Sequence, residues 1–256
     1  MIRLKTPKDI EILREGGKRL AAILQAVAKE AKAGVRTDAL DALAEGLIRK
    51  GGDSPAFLGY RSGEDSRAYP ATLCVSVNDE VVHGIPTKKP KTLKEGDIVS
   101  LDLGIIHEGL VTDHAVTVAI GKISKEEALL LEVTKKALDI GIKAAVGGKR
   151  TGDIGSAIQA FVEPYGFGIV RELAGHGVGY DVHEDPFVPN FGFAGQGALL
   201  KPGMVIAIEP MLTLGEPDVV MLKDGYTFKT KDGSMAAHFE HTVVITTSEA
   251  EILTRI

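Results

Sequence analysis

The sequence predicts an α+β fold built twice: two pseudo-symmetric halves sharing a curved, mostly antiparallel sheet, with the helices outside. Three observations predict it. First, residues 93–104 (LKEGDIVSLDLG) and 200–211 (LKPGMVIAIEPM) align without a gap. Each has Leu-Lys, a turn glycine (Gly96, Gly203), an apolar run and then one carboxylate, Asp102 or Glu209. Val82-His83 and Pro86 likewise match Val182-His183 and Pro186, and Asp113-His114 with Val116 matches Glu240-His241 with Val243. Second, helix, helix and strands follow one another in the same order in both halves. Third, no linker or low-complexity tract separates them, so residues 1–256 are expected to form one catalytic domain with its site in the crease.

Each element has its own signal. Thr6-Pro7-Lys8-Asp9 opens a helix, with Pro in the first turn and an acid after it. Ile10, Leu13, Leu20, Ile23, Leu24 and Val27 then recur at helical spacing as far as Gly34. Gly16-Gly17 inside this run marks a weak spot or a close approach of another backbone. A second helix starts at Thr37-Asp38 and runs to Gly51-Gly52. Residues 55–70 read as loop and 72–77 as a strand. Strands over 98–106 and 110–120 flank His107-Glu108-Gly109, a hairpin turn in which His107 is expected to be solvated. Ser124 to Glu127 is a capping box opening a helix to about Val146. Thr151-Gly152-Asp153 opens a fourth, and further strands are expected near Val170 and over 204–208, 227–230 and 242–246.

Composition narrows the function. A net charge of −5 without any basic run argues against nucleic acid as a direct partner. Cys74 is the only cysteine, which excludes an intramolecular disulfide and a cysteine-based zinc site. The N-terminus lacks the apolar core of a signal peptide, and no stretch nears the roughly 18 apolar residues of a membrane span. The expectation is a cytoplasmic monomer without membrane contact.

The chemistry concentrates in the acids. A carboxylate inside an apolar strand is costly to bury unless paired or bound to a cation. With the turn at residues 107–108, Asp102 and Asp113 are expected directly opposite each other, where like charges repel. Either one is protonated, as in a carboxylate dyad, or a cation sits between them. Glu209, Glu240 and His176 supply further donors and favour the cation. Such a set suits octahedral Mn, Fe or Co better than a structural zinc, and its size suits two bridged ions about 3.5–4 Å apart. The alternative, acids that merely cap helices and pair at the surface, accounts poorly for their apolar settings. His176 stands among Gly175, Gly177 and Gly179, which let a ligand approach closely. His114 and His241 follow acids and therefore face the other side of their strands. His238 shares the parity of Glu240 but has no partner in the repeat, and is not a candidate. Cys74 reads as packing.

SVNDEVVHGIP (residues 76–86), SLDLG, the second aspartate, GHGVG, IEPM and FEHTV together resemble the type I methionine aminopeptidases, of the pita-bread (creatinase/aminopeptidase-like) fold. The likeness spans roughly residues 5–254. It implies the metal ligands Asp102, Asp113, His176, Glu209 and Glu240, holding two divalent ions (Co, Mn, Fe or Zn), with Asp113 and Glu240 bridging. It implies Glu209 as general base, His83 at the peptide nitrogen and His183 at the carbonyl oxygen. The methionine pocket is expected from Phe57, Tyr60, Tyr69, Cys74, Val182 and Tyr226, whose aromatic and soft walls suit a thioether. The implied substrates are N-terminal Met peptides with a small second residue, and nascent chains at the ribosome. Residues 62–68 (SGEDSRA) lengthen the usual link between the two tyrosines. An X-Pro aminopeptidase, or a non-catalytic binding protein on the same fold, are the competing readings.

Overall fold

Helix α1 (Pro7–Glu30) begins where Thr6 accepts from the Asp9 N–H and the Asp9 carboxylate accepts from the Thr6 N–H. It buries Leu13, Leu20, Leu24 and Val27 on one face. It stops at Glu30, short of the expected Gly34, because the Gly34 N–H is drawn to Leu93 O (2.8 Å). A Cβ on Gly17 would meet Leu253 O at 2.3 Å, so the glycine pair marks a close backbone approach. Helices α2 (Thr37–Lys50), α3 (Lys125–Ala144) and α4 (Thr151–Val162) lie where their signals put them, α3 behind the Ser124–Glu127 capping box. No described helix is long and apolar enough to cross a membrane.

The computed structural model describes residues 2–61 and 67–256, so most of the lengthened 62–68 link lies outside the described residues. The strands are β1 (Ser54–Pro55), β2 (Leu73–Val77), β3 (Glu80–Val82), β4 (Ile98–His107), β5 (Leu110–Ala119), β6 (Gly168–Ile169), β7 (Gly175–Gly177), β8 (Glu184–Val188), β9 (Val205–Ile208), β10 (Met211–Thr213), β11 (Val219–Met221), β12 (Phe228–Thr230), β13 (Ala236–His238), β14 (Glu240–Val244) and β15 (Glu251–Ile252). Among the described residues the main sheet runs β1-β4-β5-β14-β9-β7-β8, with β2 on β4 and β15 on β14. Small sheets β13-β10-β6 and β11-β12-β3 flank it. Every ladder among the described residues is antiparallel, where a mostly antiparallel sheet is expected from the sequence. Leu20, Leu24 and Ile48 from α1 and α2 pack with Leu101 and Leu103 of β4. Leu138 of α3 and Ile158 of α4 pack with Ile206 and Ile208 of β9.

The repeat meets itself at the centre of this sheet. β5 pairs with β14 so that His114 lies across from His241, its own counterpart in the other half. Their rings stack at 4.5 Å, on the side of the sheet away from the preceding acids.

Two local expectations are corrected. The β4–β5 hairpin closes at His107 and Leu110, around Glu108 and Gly109, both with positive φ (45° and 84°). That is the two-residue turn whose twist suits a hairpin. Asp102 therefore faces Ala115 and Asp113 faces Gly104, which makes the acids diagonal neighbours on one face, not direct opposites. His107 is buried, not solvated: it ends β4, and its Nδ1 lies 2.7 Å from Asp53 Oδ1 under α1.

Candidate active site

The acid cluster arises from register. On β4–β5 the diagonal leaves space because Asp113 stands against a glycine. Across the centre, β9 pairs with β14 from Val205 to Ile208, and the Phe239 N–H continues the ladder to Pro210 O (3.4 Å). The same register brings Glu209 across from Glu240. His176 enters from β7, beside β9.

Every candidate named from the sequence lines one cavity of about 230 Å³. One ligand atom each from Asp113, His176 and Glu240 lie within 4.8 Å of one another. His176 Nε2 is 3.5 Å from Glu209 Oε1. Since His176 Nδ1 lies 2.9 Å from Gly177 O, which can only accept, Nδ1 carries the proton and Nε2 presents a lone pair to the cluster.

These acids fit a cation and little else. Asp102 Oδ1, Asp113 Oδ1 and Glu240 Oε1 are buried without a hydrogen-bond partner. Each such orphan costs about 1–3 kcal/mol, more for a charged group. Burial above all pushes Asp102 up to about 6. Asp113 rises well above ordinary carboxylate values through burial and then the charges of Asp102 and Glu209, and Glu240 does so through burial and then the charges of Asp113, Glu209 and Asp102. Among the described residues no lysine or arginine lines the cluster itself; Arg67, in the cavity wall, sits over the Tyr226 ring at 5.2 Å. A divalent ion relieves the orphaned oxygens and the mutual repulsion together.

Apart from Arg67, the remaining walls are apolar or neutral. Phe57, Tyr69, Cys74 and Val182 belong to one buried cluster, with Tyr60 and Tyr226 packed against it. Tyr69 meets the Tyr226 ring edge-on at 5.5 Å and donates to Gly84 O at 2.9 Å. Burial raises the Cys74 thiol well above its ordinary value, which suits a packing residue and not a nucleophile. His83 holds a left-handed backbone (φ 59°), a strain that non-glycine residues keep only where the surroundings impose it. Burial lowers His83 to about 4 and His183 to about 3, so both are neutral near pH 7. His183 Nδ1 lies 2.7 Å from the Tyr60 hydroxyl.

The sequence reading passed over Arg67 and Phe228, which also line the cavity, and His238, whose Nε2 lies 3.3 Å from Glu209 Oε2. Phe228 and Arg67 carry no local signal. His238 had one, its parity with Glu240, but it lacked a counterpart in the repeat.

The sequence pattern of metallopeptidase family M24 matches residues 11–247. The chain belongs to metallopeptidase family M24. Within that family it is 49% identical over 257 residues to a methionine aminopeptidase of Aquifex aeolicus, covering 100% of this chain and 99% of the relative. Its fold matches the crystal structure of a methionine aminopeptidase from Thermotoga maritima at a TM-score of 0.95 and 44% identity, over the full length of both. A prolidase from Pyrococcus furiosus matches at 0.79 with 24% identity, covering 99% of this chain and 65% of that one. The second likeness shows a shared fold only. The architecture is thus the expected pita-bread fold of this metallopeptidase family.

Proposed function

We infer that this chain removes the N-terminal methionine from peptides and nascent proteins whose second residue is small, by metal-assisted hydrolysis. The observation that carries this is a largely apolar pocket whose floor is a cluster of buried, mutually repelling carboxylates with unpartnered oxygens. Near-half identity to a methionine aminopeptidase over the whole chain supports it. The prolidase likeness extends to fold alone, so an X-Pro specificity has no comparable support.

In this reading Asp102, Asp113, His176, Glu209 and Glu240 would hold two divalent ions of the Co, Mn, Fe or Zn class. Bound ions supply Lewis acidity and make water nucleophilic near neutral pH. The protein's own groups do the rest. Glu209 accepts the proton of the attacking water. Phe57, Tyr60, Tyr69, Cys74, Val182 and Tyr226 enclose the methionine side chain and exclude solvent. With the Tyr60 hydroxyl donating to Nδ1, the His183 proton sits on Nε2, a donor for the carbonyl oxygen as charge develops there. His83, neutral and held in its strained backbone, meets the scissile peptide nitrogen. The natural setting is cytoplasmic, with a single-domain monomer acting on chains emerging from the ribosome.

The test is release of free methionine from Met-Ala-Ser by metal-free protein with Mn, Fe, Co or Zn restored, beside Glu209→Gln and an Xaa-Pro peptide. Metal-dependent release that Glu209→Gln loses is the expected result. No release with any bound ion, or preferential cleavage of the Xaa-Pro peptide, would overturn it.

A further inference from the structure

Glu209 has a second imidazole beside it that neither the repeat nor the family likeness assigns. His238 closes β13, opposite Met211 of β10. Its main chain is pinned from β5: the His238 N–H donates to Thr117 Oγ1 at 2.9 Å, and that hydroxyl donates to His238 O at 2.7 Å. The residue is 1% exposed, and neither ring nitrogen has a hydrogen-bond partner. Nε2 lies 3.3 Å from Glu209 Oε2, while His176 Nε2 lies 3.5 Å from Glu209 Oε1. The carboxylate thus sits between two imidazoles, one for each oxygen.

The two rings are not equivalent. His176 spends its proton on Gly177 O and faces the cluster with a lone pair. His238 has no such commitment, and an ionised carboxylate can only accept. A protonated Nε2 can make a charge-assisted hydrogen bond to a carboxylate oxygen. His238 lies behind Glu209, outside the cavity wall.

We propose that His238 is a positioning residue for Glu209: Nε2 stands 3.3 Å from Oε2, and a small turn of the buried ring lets its N–H hold that oxygen and fix the rotation of the carboxylate, leaving Oε1 turned toward His176. A group of this kind sets the aim of a base without taking part in the chemistry. The role rests on Glu209 acting as the base in methionine removal, whereas the placement of the proton does not.

Two variants and one spectrum test it. His238→Leu should lower kcat for Met-Ala-Ser by about 10–100-fold with KM little changed, the usual cost of losing a group that orients a ligand. His238→Gln, which keeps an N–H donor, should stay within about threefold of the original. Equal losses in both variants, no loss in His238→Leu, or a loss confined to KM would overturn the assignment. In the metal-free protein labelled with ¹⁵N-histidine, His238 should be protonated at Nε2 and bare at Nδ1, its resonances identified by their disappearance in His238→Gln. The opposite tautomer would refute the contact even if His238→Leu fails to fold. Protein that shows the Nε2 proton but never releases methionine would sink the aminopeptidase reading and support the contact.

Discussion

Lys5 Nζ lies 2.8 Å from Glu184 Oε2, with the two side chains only 1% and 2% exposed. The other oxygen of Glu184 accepts the N–H groups of Tyr180 (2.6 Å) and Asp181 (3.1 Å). Residues 180–184, which carry Val182 and His183 into the cavity, are therefore folded around one carboxylate. Its countercharge comes from the segment ahead of α1, anchored by the Lys5 N–H on Gly203 O (2.8 Å).

Removing Lys5 leaves the buried Glu184 carboxylate with only Arg3, whose Nη2 lies 3.3 Å from the other oxygen, as countercharge, which costs at most about 3–5 kcal/mol. Lys5→Met should lose stability on that scale in urea denaturation, and kcat should fall as the His183 loop loosens. Adding Glu184→Gln to Lys5→Met should recover part of the stability. A Lys5→Met protein as stable as the original would show that the pair holds nothing in place.

Gly104 is a second point of control. A Cβ there would meet Phe57 Cε1 at 2.7 Å and Ala56 Cβ at 3.0 Å. Gly104→Ala should push the Phe57 ring into the methionine pocket, costing about 1–3 kcal/mol of stability as an overpacked site. Steady-state kinetics should show a raised KM for Met peptides; an unchanged KM would mean that Phe57 yields outward.

Tyr60→Phe isolates the contact to His183 Nδ1. Losing one hydrogen bond that orients the His183 imidazole is worth about 1 kcal/mol, close to fivefold in kcat/KM. Kinetics on Met-Ala-Ser should show that fall without a change in metal affinity. A wild-type kcat/KM would leave the His183 ring oriented by its 4.4 Å contact with the His176 ring.

Metal binding should release protons. Burial raises Asp102 to about 6 and lifts Asp113 and Glu240 well above their ordinary values, so the metal-free site keeps protons near neutrality. An entering ion must displace them, hence affinity should weaken as pH falls. Titration calorimetry with Mn²⁺ in two buffers of different ionisation heat should show net proton release, larger at about pH 6 than at about pH 8. Binding without proton release at the lower pH would contradict the buried, protonated state.

The acids were legible because they break a local rule. Asp102 among Val99, Leu101 and Leu103, or Glu209 after Ile206 and Ile208, has no reason to exist in a buried strand unless something charged meets it. Helix starts were legible for a similarly local reason: Thr6 with Asp9 and Ser124 with Glu127 bond within their own turns. What went unread depends on distant partners. His107 looks like turn surface until Asp53 comes beneath it, and Lys5 looks like a solvated cation until Glu184 arrives from far along the chain.

By itself, then, the sequence determined the duplicated α+β plan, the four helices, the central strands and the acids that converge on one cavity, whereas the pocket walls were implied by the family likeness. Those properties follow from periodicity, capping and the cost of burying charge, all of which act within a few residues. The tertiary structure alone decided the diagonal setting of Asp102 and Asp113, the stacking of His114 on His241, the burial of Lys5 and the approach of His238 to Glu209. Each of these is fixed by strand register or by packing between segments distant in the chain, where a shift of one or two residues leaves the local pattern intact and moves every partner.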